Sequence, residues 1–293
     1  FAEDTWALND SLALTLGLRF DEHSTFGDFW TPRAYLVWNA NENWTFKGGY
    51  SEGYKAPRLE RLTDGIYNVS GQGRTPTFGN PNLKPEKIQS FESTLGYNAA
   101  SGGVNLTAYH REIQDYIERV IRLEDTRYVE RPQNQSEATT YGIELSGRYA
   151  LKQTDAGHAF MLNGQLSTIR ATVEDAQHQQ RLVSDVAPYT ASTGLSYSFQ
   201  PWQLSTSVNV TYTPEFTRAL DGQPYNRTTN QRFNVDLAAT KRLSHGWATS
   251  LNLNNILSTD YKERLTLQSD GSLYESRNNE AIPSIQLTLE KKF

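Results

Sequence analysis

Leu12, Leu14, Leu16, Leu18 and Phe20 take every second position of a stretch whose intervening residues are Ala13, Thr15, Gly17 and Arg19. Successive side chains of an extended chain point to opposite faces. This segment therefore has one strictly apolar face and one face of small, polar or charged residues. The same alternation returns at Trp44, Phe46 and Tyr50, at Phe91, Leu95 and Tyr97, and at Tyr141, Ile143 and Leu145. It continues at Leu195, Tyr197 and Phe199, at Phe233, Val235 and Leu237, and at Ile285, Leu287 and Leu289. The pattern predicts about 13 strands, over 1–8, 11–22, 30–40, 44–54, 86–99, 103–119, 135–151, 157–171, 183–199, 202–216, 229–242, 246–262 and 281–293. No domain boundary interrupts them, so residues 1–293 form one unit.

Strand length decides between the β architectures. Sandwich strands run to about 5–6 residues, and a strand crosses a bilayer in about 9–11. Many of the strands here are longer than that. Composition agrees: 37% apolar residues is low for a soluble core, yet 16 Tyr, 12 Phe and 6 Trp are too many for a disordered chain. Connectors alternate between tight turns (Asn9-Asp10, Asn41-Glu42, Thr154-Asp155, Gln200-Pro201, Ser244-His245) and long loops near 22–30, 55–86, 120–135, 172–183, 217–229 and 263–281. Trp6, Trp38, Trp44, Trp202 and Trp247 sit beside the tight turns, where an interfacial girdle falls. The expectation is an all-β, transmembrane, antiparallel β-barrel of the bacterial outer membrane, with the long loops structureless and functional. Closed single-chain barrels have even strand numbers, so about 13 strands are expected to be part of a larger wall.

Several chemistries are excluded. With no Cys there are no disulfides, thiolate metal sites or cysteine nucleophiles. A net charge of −5 without a basic run gives no nucleic-acid partner. Gly71-Gln72-Gly73 lacks the Lys-Ser/Thr of a phosphate loop. Glu112/Asp115 and Asp125/Glu130 are solvated loop carboxylates. No catalytic or metal-ligating residue is assigned.

Two stretches are more specific. One runs from Tyr50 through Tyr54-Lys55-Ala56-Pro57, then after a long loop Gly79-Asn80-Pro81-Asn82-Leu83-Lys84-Pro85-Glu86. The other is Leu253-Asn254-Asn255-Ile256-Leu257, followed by an alternating strand that ends in Phe293. Together these resemble the TonB-dependent outer-membrane receptors, near the branch that takes ferric enterobactin and colicin I. The motif residues Pro57, Asn80, Pro81, Leu83, Pro85, Glu86, Asn254, Asn255 and Phe293 are assigned structural roles. Lys291 departs from the family's aromatic or apolar preference in the last strand.

The resemblance implies a 22-stranded barrel with an amino-terminal plug. This chain would be its carboxyl-terminal part, roughly strands 10 to 22, lacking the plug and the first strands. It implies active import of a ferric siderophore as cargo, with no resident cofactor and no enzymatic activity. Energy would come from TonB through the absent amino-terminal part. Outer-membrane lipid and lipopolysaccharide surround such a barrel, and its loops are open to colicins and phages. For the ligand, Tyr54, Lys55, Arg58, Arg61, Tyr67, Arg74, Arg127, Tyr128 and Arg131 are singled out. Guanidinium and phenol groups suit an anionic, aromatic ferric catecholate. Later loops add Arg181, Arg218, Tyr225, Arg227, Lys262, Arg264, Tyr274 and Arg277. Haem is disfavoured because residues 58–79 contain no His. Cobalamin and other chelates stay open, and a passive porin is the alternative of another class.

Overall fold

The computed structural model describes residues 1–70, 75–124, 127–135, 137–174, 179–182, 186–219, 225–257, 261–267, 273–279 and 282–292, with the backbone alone given for 70, 218–219, 225–226, 261–267 and 273–279. The strands in chain order begin with β1 (Ala2–Asn9), β2 (Leu12–His23), β3 (Gly27–Asn39) and β4 (Trp44–Lys55). Two short strands follow, β5 (Ile66–Ser70) and β6 (Thr75–Phe78), and then β7 (Glu86–Ala99) and β8 (Gly102–Gln114). The hairpin β9 (Ile117–Glu124) and β10 (Arg127–Asn134) precedes β11 (Glu137–Gln153), β12 (His158–Glu174), β13 (Gln180–Leu182) and β14 (Tyr189–Phe199). The chain continues through β15 (Leu204–Thr213), β16 (Phe216–Ala219), β17 (Tyr225–Thr229) and β18 (Arg232–Arg242). It ends with β19 (Trp247–Asn254), β20 (Tyr261–Leu267), β21 (Leu273–Asn279) and β22 (Ser284–Lys291).

One antiparallel sheet forms the wall, in the order β1-β2-β3-β4-β7-β8-β11-β12-β14-β15-β18-β19-β22, with β13 paired on the side of β12. These are the strands the alternation predicts. Register aligns the apolar face across strands: Leu12 lies opposite Trp38, Trp38 opposite Phe46, and Phe46 opposite Leu95. Leu95 in turn lies opposite Leu106, Leu106 opposite Leu145, and Leu145 opposite Leu166. A slip of one residue would turn each strand's apolar set to the polar face. Much of the apolar face is exposed, as at Leu16, Leu18, Leu95, Leu145 and Leu195.

The expectation of structureless long loops is corrected. β5, β6, β10 and β9 form one four-stranded sheet, and β16, β17, β20 and β21 form another. Each joins two loops that are distant in sequence. Backbone amides outside the wall need partners, and the loops supply them to each other. Two predicted strands also end early for local reasons. β8 stops at Gln114 because Asp115 takes a left-handed φ of 54°, and the chain restarts as β9. β19 stops at Asn254 because Asn255 has φ 50°.

Among the described residues, the buried apolar side chains are Leu83, Ile117, Val129, Ala138 and Val173. All lie at the long-loop edge. Ala138 and Val173 face each other across β11 and β12 on the polar side of the wall, in line with Ile88 and Ile113. Among the described residues the buried apolar side chains therefore gather where the wall meets its loops, and the middle of the wall contributes none of them.

Candidate functional site

The loop from β4 to β7 returns to the wall through Gly79–Glu86, and the backbone N–H groups of Gly79, Asn80, Asn82, Leu83 and Lys84 all have partners. Asn80 donates its backbone N–H to the Arg61 carbonyl at 2.7 Å and its side-chain amide to the Pro132 carbonyl at 3.1 Å. Its side-chain oxygen accepts the Asn82 N–H at 3.0 Å. Asn134, at the end of β10, accepts the Lys84 N–H at 2.9 Å and donates to the carbonyls of Lys84 (3.0 Å) and Asp115 (2.6 Å). Leu83 is buried, whereas Pro81 is exposed at the turn. Gly79 is required by close approach, because a Cβ there would stand 2.2 Å from the Thr63 carbonyl oxygen. Through these bonds Asn80 and Asn134 fasten one loop to the next. Asn134 is the partner that sequence reasoning missed.

Glu86 begins β7 on the polar face, as expected, but is only 2% exposed. Its carboxylate accepts the Ile117 N–H at 2.8 Å and the Lys55 ammonium at 2.8 Å. Lys55 is directly opposite Glu86 in register, so its charge is already partnered. Glu130, expected to be a solvated loop carboxylate, is instead buried: its carboxylate accepts the Thr77 hydroxyl at 2.8 Å and has the Arg119 guanidinium 3.7 Å away. Glu118 of β9 accepts from Arg181 of β13, which draws a third loop into the same cluster.

The other residues singled out from sequence divide by place. Tyr54 stands apart, stacked on Phe29 at 3.8 Å, in a cavity of 790 Å³ against the polar face of β1 to β4. That cavity also holds the pairs Arg19–Asp21 and Arg33–Glu3. Pro57 is buried. Arg58 is exposed, with Glu60 at 3.7 Å, and Arg61 lies in the 3₁₀ turn Leu59–Leu62 that follows it. Tyr67 is half-exposed on β5. Arg127 and Tyr128 are exposed at the start of β10. Arg131 is held more tightly, donating to both Glu124 oxygens at 3.0 and 3.2 Å while its guanidinium lies 4.4 Å above the Phe78 ring. The Arg131 hydrogen bonds keep the Glu124 carboxyl below the usual carboxylate range. Burial, then the charge of Glu118, pushes the Tyr116 phenol up.

Arg74 and Phe293 lie outside the described residues, and Lys262, Arg264, Tyr274 and Arg277 lie on β20 and β21. Arg119 and Arg122 were also missed, because the predicted strand 103–119 counted the first as wall and passed over the second. Both are exposed on β9; Arg122 shares a hairpin face with Arg127, whereas Arg119, opposite Pro132, lies on the other face. On the loops, Arg122 and Arg127 are exposed on one face of the β9–β10 hairpin, Arg119 and Tyr128 on its other face, and Arg58 ahead of the 3₁₀ turn, with Tyr67 half-exposed on β5. Groups of these kinds suit an anion by charge and an aromatic ring by stacking.

At the same long-loop edge, toward the β22 end of the sheet, Asn254 and Asn255 close β19. The Asp236 carboxylate accepts the Asn255 N–H at 2.8 Å, and Asn254 donates to Ser284 at 3.1 Å.

Long antiparallel strands with an aliphatic exposed face, tryptophans along a tight-turn edge and a loop-bearing opposite edge make up a transmembrane β-barrel wall. Its place is the bacterial outer membrane. More particularly, the chain belongs to the TonB-dependent receptor family, since residues 1–256 match the family described as "TonB dependent receptor-like, beta-barrel".

The iron-regulated outer membrane virulence protein of Vibrio cholerae is 44% identical over 121 residues, which cover 41% of this chain and 18% of that protein. The ferric enterobactin receptor of Pseudomonas aeruginosa is 34% identical over 125 residues, covering 40% and 17%. The crystal structure of the siderophore receptor PirA from Acinetobacter baumannii superposes with a TM-score of 0.73 at 19% identity, over 99% of this chain and 45% of that one. The chain spans less than half the length of these proteins.

Proposed function

We propose that this chain is the loop-bearing, carboxyl-terminal part of a receptor that binds a ferric siderophore of the catecholate type and imports it with energy delivered through TonB. In that receptor the wall described here is continued to a closed barrel, because an open sheet edge is not tolerated in lipid. The observation that carries the ligand reading is the pair Arg122 and Arg127, exposed on one face of the β9–β10 hairpin, with Arg58, Arg119 and Tyr128 exposed elsewhere on the same two loops. A ferric tris-catecholate is an anion with aromatic rings, and these residues supply cations and a phenol without a histidine. The absence of His from residues 58–79 weighs against haem. The relatives named for siderophores support the same class.

The test uses the full-length receptor in detergent, titrated separately with ferric enterobactin, a ferric hydroxamate, haemin and cyanocobalamin, with quenching of Trp and Tyr fluorescence as the readout. Tight binding of the catecholate alone, weakened about tenfold by Arg58→Ala or Arg127→Ala, is the expected result. Preference for haemin or cobalamin overturns the ligand class. Binding of none of them, together with open-channel conductance, overturns the receptor reading in favour of a porin. TonB coupling predicts that a proton uncoupler abolishes uptake in cells while leaving binding intact.

A further inference from the structure

The apolar face of the wall carries a notch. Its floor is Gly147 on β11 and Gly164 on β12, directly opposite each other, and its sides are Tyr97, Leu145, Tyr149, Leu162 and Leu166. The cavity measures 550 Å³, within the roughly 300–1,000 Å³ of small-molecule sites. Neither glycine is imposed by the backbone. A Cβ on Gly164 would meet nothing nearer than 3.7 Å, and one on Gly147 nothing nearer than 3.3 Å. Gly142 on the same strand is different, for a Cβ there would fall 2.0 Å from the Thr168 carbonyl. The notch is thus open where side chains would fit.

A second feature lies between the notch and the tight turn. The β11–β12 register runs Ala150↔Met161 and then Lys152↔Phe160, so a β-bulge intervenes. Without it Lys152 would share the polar face with Arg148. With it, Lys152 stands on the apolar face beside Phe160, whose ring packs 4.8 Å from Tyr197. Bulges re-aim side chains in this way. Lys241 over Trp202 (5.6 Å) and Lys291 over Trp247 (5.3 Å) put cations among the aromatic girdle along the same edge. Lys152 is five residues beyond Gly147, about 16 Å along the strand at ~3.3 Å per residue, which a ~40° strand tilt reduces to about 12 Å along the bilayer normal. The notch, whose lining reaches Ser101 and Gly102 of the β7–β8 tight turn, therefore lies in the tight-turn half of the wall, with the lysine nearer that edge.

We infer that the Gly147–Gly164 notch is a binding site for one acyl chain of a phospholipid from the leaflet on the tight-turn side, with Lys152 placed to meet its phosphate. The occupant follows from setting and charge: the face is lipid-exposed, the pocket is apolar, and the one re-aimed side chain is a cation. The site is independent of what the loops bind.

The experiment takes the full-length receptor, delipidates it in detergent, adds phosphatidylethanolamine or phosphatidylglycerol, and counts retained lipids by native mass spectrometry. Gly164→Leu fills the notch with an apolar side chain that the lipid face tolerates, and Ala108→Leu does the same elsewhere on that face. The expected result is at least a tenfold loss of retained phospholipid in Gly164→Leu, a smaller loss in Lys152→Gln, and none in Ala108→Leu. Should Gly164→Leu fail to assemble, Gly164→Ala and Lys152→Glu report the same loss. Retention equal to the unsubstituted protein in the notch variants overturns the inference. So does equal loss in Ala108→Leu, or retention of lipopolysaccharide alone.

Discussion

Glu86 is the joint between wall and loops, and its removal is predicted to loosen the β9–β10 hairpin while leaving the wall intact. The buried carboxylate accepts the Ile117 N–H at 2.8 Å and the Lys55 ammonium at 2.8 Å. Lys55 is 66% exposed, so solvent screens that pair to about 0–1 kcal/mol. The larger contribution is the Ile117 bond, which is a hydrogen bond to a charged acceptor worth about 1.5–3 kcal/mol. Glu86→Ala leaves the Ile117 N–H buried without its acceptor. Each 1.4 kcal/mol is a factor of ten, so the hairpin should open roughly 10–150 times more often. Hydrogen exchange on the full-length receptor reads this directly, as a rise of that size at Ile117 and across Ile117–Asn134 with β11 and β12 unchanged. Glu86→Gln keeps an acceptor for Ile117 and should recover more than half of the protection. Unchanged exchange in Glu86→Ala would refute the reasoning, and so would a uniform rise through the wall, which would make Glu86 a determinant of barrel stability instead.

Three further outcomes follow from the geometry. Gly79→Ala drives a Cβ against the Thr63 carbonyl, and a cost of about 1–3 kcal/mol should appear as faster proteolysis in the 55–86 loop with the heat-denaturation midpoint of the barrel unchanged. The Glu124–Arg131 bond holds Glu124 below its ordinary pKa, so its contribution is complete above the unfolded value of about 4.3 and is lost as pH falls through the lower folded one. Intrinsically corrected exchange of the β10 amides should therefore be flat from about pH 8 to 5 and rise only below about pH 4. Asp236→Ala removes the acceptor of the left-handed Asn255 N–H and should cost about 1.5–3 kcal/mol in urea titrations of the refolded full-length receptor, with Asp236→Asn retaining most of it.

The wall was legible in the sequence because a strand's face assignment is local. Leu12 to Phe20 alternate whatever lies next to them, and that alternation at lengths beyond a sandwich strand was enough to predict a bilayer-crossing wall. The asparagine–proline and double-asparagine motifs were legible as family marks, but the partners that Asn80 and Asn255 take, the Pro132 carbonyl and the Asp236 carboxylate, were not. The loops were not legible. β6 meets β10, and β17 meets β20, across gaps of many residues, and no local pattern encodes which loop will satisfy another's amides. Lys55 illustrates the same limit: in sequence it is one more basic loop residue, and in space it is opposite Glu86. Arg131 is likewise held by Glu124 and Phe78, while Arg122, unremarked in sequence, stands exposed on the same hairpin face as Arg127.

By itself the sequence determined that this chain builds an alternating, aromatic-edged wall that crosses the outer membrane, because side-chain periodicity along an extended backbone needs no tertiary information. Only the tertiary structure decided which charges are spent on holding the loops and which remain outward. It also decided where a glycine pair and a bulged lysine leave a cavity on the lipid face. Those outcomes depend on register between strands, and register is set by the packing of the whole sheet.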